Sequence, residues 1–144
     1  MKQEFDLSKF VLAQQRDYPL ALQEIKDGEK FRHWMWYIFP QVKGLGVSPT
    51  SVKYGIESLE EARAFLAHPC LGRNLSEISQ VLLTHQTNNA ADIFGSLDAA
   101  KLRSSMTLFA YASGSPSVFH DVLEKYFQGV YDSRTEELLK LTAR

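Results

Sequence analysis

Several features that mark particular classes of protein are scarce in this chain. Its 144 residues include one cysteine, so no disulfide can form within the chain, and we expect a reducing compartment, the cytoplasm. The polar N-terminus is followed by no hydrophobic segment, so we expect no signal peptide. No apolar run approaches the roughly 18 residues of a membrane-spanning helix, so we expect no membrane association.

The chain also has no excess of charge of either sign. Its formal net charge is -1, which is not the strongly basic character of a nucleic-acid-binding domain, so we expect no nucleic-acid partner. Hydrophobic residues make up 44% and charged residues 23%, the ordinary composition of a globular protein. This length and composition predict a single domain over residues 1–144. We expect it to be a monomer.

Alternation of polar and apolar residues, the pattern of a half-buried strand, is almost absent. Helical spacing between capping residues is frequent instead, and it predicts an all-α fold: a compact domain of seven or eight short helices with little or no strand. Asp6 is the predicted cap of the first helix. Asp17 is the predicted cap of a second helix, with Pro19 in its first turn and Gly28 at its end. Residues 31–39 are apolar on nearly every side and predict a buried helix that ends at Pro40.

Later in the chain, single capping residues and glycines predict where the helices begin and end. Residues 52–56 predict a short strand or an extended piece. Ser58 and Glu61 have the spacing of a capping box and start the next helix. Gly95 closes a short helical turn, and Asp132 or Ser133 caps the last helix.

Motifs of well-known enzyme and metal sites are missing as well. The sequence has no G-x-S-x-G, no P-loop and no H-E-x-x-H. Its four histidines are scattered, so we expect no metal site, and nothing in the sequence indicates a cofactor.

The chain does contain a dense aromatic segment at residues 32–41, which holds both of its tryptophans. Aromatic side chains bury large areas with specific geometry, so the segment indicates either a core or the wall of a pocket. Trp34 and Phe39, together with Met106 further along, are predicted to be core residues. On a helix, His33, Trp36 and Tyr37 would share one side, which a planar ligand could contact.

Positive charge accumulates around this segment and in a second one. Residues 26–53 contain five basic side chains against Asp27 and Glu29, and residues 99–119 add Lys101 and Arg103 with no acid. Arginine and hydroxyl groups are good donors to phosphate and carboxylate groups. The two segments therefore predict one pocket for a small anionic, nucleotide-like ligand. Its predicted ligand-binding residues are His33, Trp36, Tyr37, Gln41, Lys101, Arg103 and Ser104.

Two other functions remain open on the sequence alone. The first is an enzyme that acts on a nucleotide or an ADP-ribose-like derivative, with His33 as general acid or base and Glu29, four residues earlier, as its nearest acidic candidate. The second is a protein-interaction module that uses exposed aromatic residues around the glycine-containing loop at 40–50.

Long strings of the sequence resemble the bacterial domain-of-unknown-function family eighteen-ten over roughly residues 6–140. They are HWMWYIFPQ at 33–41, GLG at 44–46, SPT at 48–50, SLEEAR at 58–63, HP at 68–69, IFG at 93–95 and KLRSSMTLF at 101–109. The resemblance implies a small, mostly helical, single-domain cytosolic protein and no particular activity. Such proteins are sometimes labelled calpastatin, but calpastatin inhibitory segments are disordered and polar, whereas this chain is 12% aromatic.

Overall fold

Helices make up nearly all of the regular structure. The computed structural model describes residues 5–114 and 116–142, and in this part of the chain it has eight helices and no strand beyond one isolated parallel bridge between Val42 and Ile56. The helices are α1 Ser8–Asp27, α2 Met35–Ile38, α3 Pro49–Lys53, α4 Leu59–Ala67, α5 Leu71–Leu82, α6 Ala91–Ser113, α7 Val118–Phe127 and α8 Ser133–Thr142. The prediction of an all-α fold is confirmed. None of the described helices is both long and apolar enough to cross a membrane.

The long helix α6 lies at the centre of the packing. It contacts α4, α7 and α8, while α5 joins α1, α4 and α7. The predicted core residues Trp34, Phe39 and Met106 are all buried, as part of one apolar cluster. Gly95 interrupts α6 near its start with φ 78° and ψ 162°, a backbone conformation that favours glycine, as the predicted closure of a short helical turn requires.

The prediction of a new helix at Asp17 is wrong, because α1 runs through this point without a break and contains Pro19. Long-range contacts fix the turn of the helix that precedes the proline. The Gln14 side chain bonds to Asn74 and the Tyr18 hydroxyl to the Asn74 carbonyl, both on α5. The predicted end at Gly28 is confirmed by its left-handed φ of 81°.

The predicted helix over 31–39 is also too long. Only Met35–Ile38 is helical, because Phe31, Arg32 and Trp34 instead donate hydrogen bonds to the carboxylate of Glu24. Of the predicted strand at 52–56, residues up to Lys53 belong to α3, and Ile56 forms the bridge with Val42.

Two predicted caps are present. The Ser58 hydroxyl accepts a hydrogen bond from the Glu61 N–H at 3.1 Å, and the Asp132 carboxylate accepts one from the Thr135 N–H at 2.9 Å. The Glu61 side chain reaches back one residue further than a capping box requires, to the N–H of Glu57 at 2.7 Å. The Asp132 cap fixes the start of α8 and with it one wall of the candidate site.

Candidate functional site

A pocket of about 190 Å³ lies where α2, the following 41–45 segment, α6 and the first turn of α8 meet. We call it the Trp36 pocket. Its polar and aromatic lining is formed by Trp36, Gln41, Lys101, Ser104, Asp132 and Arg134, and its apolar lining by Leu45 and Ala100. The aromatic segment, through Trp36 and Gln41, and the basic stretch of α6, through Lys101 and Ser104, therefore meet at one place.

Lys101 is held at the pocket by two neighbours. Its ammonium lies 4.8 Å from the centre of the Trp36 ring and 3.0 Å from Asp98 Oδ1. The other oxygen of Asp98 is 2.7 Å from Lys30 Nζ, which is itself 4.9 Å from the centre of the Trp34 ring. Burial raises the pKa of Asp98, but the hydrogen bonds from both lysines outweigh it and leave this pKa below its ordinary value. Asp98 therefore stays ionised and fixes the position of Lys101.

Gln41 lines the pocket and carries a buried donor that is not used. Its side chain is buried, and its Nε2 has no hydrogen-bond partner in the described part of the chain. The backbone of Gln41 is fixed, because its carbonyl accepts a hydrogen bond from the Ile56 N–H at 2.9 Å. A buried donor without a partner costs roughly 1–3 kcal/mol.

The capping residue and the first turn of α8 supply two charged residues, Asp132 and Arg134, that are not among the predicted ligand-binding residues. Asp132 Oδ2 accepts bonds from the N–H and the hydroxyl of Thr135, at 2.9 and 2.6 Å. Arg134 is exposed, and its guanidinium has no ion pair or hydrogen bond among residues 5–114 and 116–142. The capping signal locates this helix start in the sequence, but only the packing of α8 against α6 brings it to the pocket.

Of the predicted ligand-binding residues, the structure brings Trp36, Gln41, Lys101 and Ser104 together. The Ser104 hydroxyl donates to the Ala100 carbonyl at 3.2 Å, which leaves its oxygen free to accept a bond from a ligand.

The remaining predicted residues are not among those that line this pocket. His33 is exposed, its ring has no hydrogen bond within the described residues, and the non-helical backbone around it does not place Glu29 on a shared helical face. The Tyr37 ring is buried, and its hydroxyl donates to Asp17. Arg103 donates to the carbonyls of two loop residues, Val130 at 2.9 Å and Tyr131 at 3.3 Å.

Comparisons with known proteins bear on identity but not on this pocket. The family model described as "Protein of unknown function (DUF1810)" matches residues 4–139. The chain belongs to this family. The crystal structure of the conserved hypothetical protein Rv1873 from Mycobacterium tuberculosis is similar to this DUF1810 chain. The two share 47% identity over 94% of this chain and 97% of the other, with a TM-score of 0.91. No curated protein has a significant match to the chain.

The DUF1810 chain has a second, larger cavity of about 430 Å³ between α1 and α5. Its polar groups largely satisfy one another: the Tyr18 hydroxyl donates to the Glu77 carboxylate at 2.6 Å, and the Gln14 side chain bonds to both Asn74 and the Tyr37 carbonyl. Groups of three or more metal-ligating side chains do not occur among the described residues. The Trp36 pocket differs from this cavity because it combines unpaired charge with a buried, unpaired donor.

Proposed function

We propose that this DUF1810 protein binds a small anionic, nucleotide-like ligand in the Trp36 pocket. The observation that carries the proposal is the convergence of the Lys101, Arg134 and Gln41 side chains on one pocket beside an indole ring, with Gln41 Nε2 unpartnered among the described residues. Hydrogen bonds from cationic side chains to an anion are about twice as strong as those between neutral groups. The expected ligand-binding residues of the pocket are therefore these three together with Trp36 and Ser104. The proposal takes the protein as a cytoplasmic monomer that meets its ligand in solution.

Isothermal titration of the full chain with AMP tests the proposal, with Lys101→Met and Arg134→Gln as variants. Hydrogen bonds to charged groups contribute roughly 1.5–3 kcal/mol, so each substitution should weaken binding about tenfold or more. The ligand should also raise the melting temperature of the native chain by mass action.

Arg73→Gln is the matched control, because Arg73 is exposed on α5 and lines the second cavity instead. It should bind AMP as the native chain does. Loss of binding in Arg73→Gln, with Arg134→Gln unaffected, would assign the ligand to the cavity between α1 and α5 and overturn the proposal. Absence of any binding of AMP or inorganic phosphate would overturn it too.

The two other functions that the sequence left open receive less support. A general acid or base must come within hydrogen-bond reach of the reacting atom, and His33 is exposed and outside the lining of the Trp36 pocket. An interaction module would rest on exposed aromatic residues around the glycine-containing loop, whereas the large apolar side chain exposed in this loop is that of Val47, at 97%. Single exposed apolar side chains are ordinary in globular proteins and indicate no partner.

A further inference from the structure

Resting on the proposed function, we infer that the Trp36 pocket is built for a phosphorylated sugar of about the size of a pentose phosphate, with its hydroxyl groups free. The phosphate group lies between Lys101 and Arg134, and the sugar hydroxyls meet Asp132, Gln41 and Ser104. The nucleotide base of a larger ligand, where there is one, stays outside the pocket.

The mixed charge of the pocket is the first reason. Asp132 lines the same pocket as the two cations, so a ligand that consisted only of an anion would be repelled by it. One carboxylate oxygen of Asp132 is used in the cap of α8, whereas Oδ1 has no donor within the described segments. An ionised carboxylate can only accept hydrogen bonds, so a ligand that displaces water from Asp132 must supply a donor beside its anionic group.

The neutral polar groups point to the same chemistry. Gln41 Nε2 is a buried donor that needs an acceptor. The Ser104 hydroxyl already donates a hydrogen bond to the Ala100 carbonyl at 3.2 Å, so towards a ligand it can act only as an acceptor, through its oxygen. A hydroxyl group is both donor and acceptor. A ligand with several hydroxyls therefore satisfies Gln41, Ser104 and Asp132 together, which a simple carboxylate or alkyl phosphate does not.

The shape of the pocket favours a sugar over a base. Pockets for drug-sized ligands have roughly 300–1,000 Å³. The Trp36 pocket has about 190 Å³, which suits one small ring and its anionic group. The ammonium of Lys101 already lies over the Trp36 ring, at 4.8 Å from its centre, so this face of the indole is not free to stack on a base. Leu45 and Ala100 supply apolar contacts for the carbon face of a sugar.

Titration calorimetry with two phosphate esters tests the inference. Ribose 5-phosphate has hydroxyls and propyl phosphate has none, so the native chain should bind the sugar phosphate about tenfold tighter. In Asp132→Asn the asparagine still caps α8, so the fold is kept, but its amide cannot replace the free acceptor. The variant should lose most of the preference for the sugar phosphate while it binds propyl phosphate at least as well as before.

Gln41→Leu gives a second, independent variant. Because its Nε2 has no partner among the residues that the structure describes, the melting temperature should stay the same or rise. Affinity for ribose 5-phosphate should fall about tenfold. Gln80→Leu, the same change at an exposed position of α5, should alter neither quantity.

The outcomes separate the inference from the proposed function. Equal affinity for the two esters, or an unchanged preference in Asp132→Asn, would overturn the inference and leave anion binding by Lys101 and Arg134 in place. Binding of AMP without binding of ribose 5-phosphate would overturn it in the same way. If no phosphate compound binds, both are wrong.

Discussion

Glu24, near the end of α1, is a buried carboxylate that organises the first part of the aromatic segment. It accepts hydrogen bonds from the N–H groups of Phe31 and Arg32 at 2.8 and 3.1 Å, and from the Trp34 indole at 3.0 Å. The Arg32 guanidinium lies 2.5 Å from its other oxygen. Burial by itself raises the pKa of this carboxyl, but these hydrogen bonds outweigh burial and lower the pKa from 4.5 to about 2.

The lowered pKa makes stability depend on acid pH. The unfolded chain takes up the proton at a higher pH than the native chain, so the stabilisation by Glu24 is complete above pH 4.5 and is lost as the pH falls toward 2. We expect the difference in free energy of unfolding between the native chain and Glu24→Gln to shrink by roughly 3 kcal/mol between pH 5 and pH 2. Urea unfolding at a series of pH values measures this difference.

Glu29→Gln is the control, because Glu29 is exposed in the same region and its side chain has no hydrogen bond in the described residues. This variant should show the pH dependence of the native chain. A pH-independent difference between the native chain and Glu24→Gln would contradict the assignment of the low pKa to Glu24.

Position on a helix explains which pocket residues could be predicted from the sequence. Lys101 and Ser104 are three residues apart on α6 and share a face, so both reach the Trp36 pocket. Arg103 is two residues from Lys101 and points elsewhere, toward the carbonyls of Val130 and Tyr131. The sequence prediction assigned Lys101, Arg103 and Ser104 to one pocket because of their polar and basic side chains, without considering which face of the helix each one occupies. Arg134 reaches the pocket only because α8 packs against α6, and no local sequence pattern predicts that packing.

At the scale of helices, local signals predicted most starts and stops but failed inside α1. The Asp17 and Pro19 pair is a good start signal, and Pro in the middle of a helix is rare because it removes one backbone hydrogen bond and crowds the preceding turn. Here the packing of α1 on α5 keeps the helix continuous, through Tyr18 and the Gln14–Asn74 contact. Tertiary contacts therefore override a local preference at this position.

Keeping Pro19 inside α1 lowers the free energy of unfolding by an amount that can be measured. Proline is roughly 3 kcal/mol less favourable than alanine in a helix interior. Pro19 is exposed, so its replacement leaves no buried cavity, and Pro19→Ala should raise the free energy of unfolding by roughly 1–3 kcal/mol. Urea unfolding monitored by far-UV circular dichroism measures the gain.

Pro116→Ala provides the comparison, because Pro116 is exposed in the connection before α7 and not within a helix. There proline only restricts the unfolded chain, so its removal should leave stability unchanged or lower it slightly. A loss of stability in Pro19→Ala would show that the ring of Pro19 makes a favourable contact that exceeds its cost to the helix.

At the scale of the whole molecule, aromatic rings link the helices through one core. The ring centres of Phe10 and Phe65 are 5.2 Å apart, those of Phe65 and Phe109 are 5.4 Å apart, and those of Phe109 and Phe119 are 5.8 Å apart. This series joins α1, α4, α6 and α7. The helical period in the sequence predicts that such residues are buried, but it does not say which of them touch, because each contact joins residues distant in the chain.

The continuous core leads to a prediction about unfolding. We expect residues 1–144 to unfold as one cooperative unit, with the transition seen by tryptophan fluorescence coinciding with that seen by far-UV circular dichroism. Both tryptophans lie in the aromatic segment, Trp34 in the core and Trp36 at the pocket. Trp36→Phe removes the reporter at the pocket, and the two transitions should still coincide in this variant. A fluorescence transition that precedes the loss of helix in both proteins would contradict the prediction, because the segment around Glu24 would then unfold before the remaining helices.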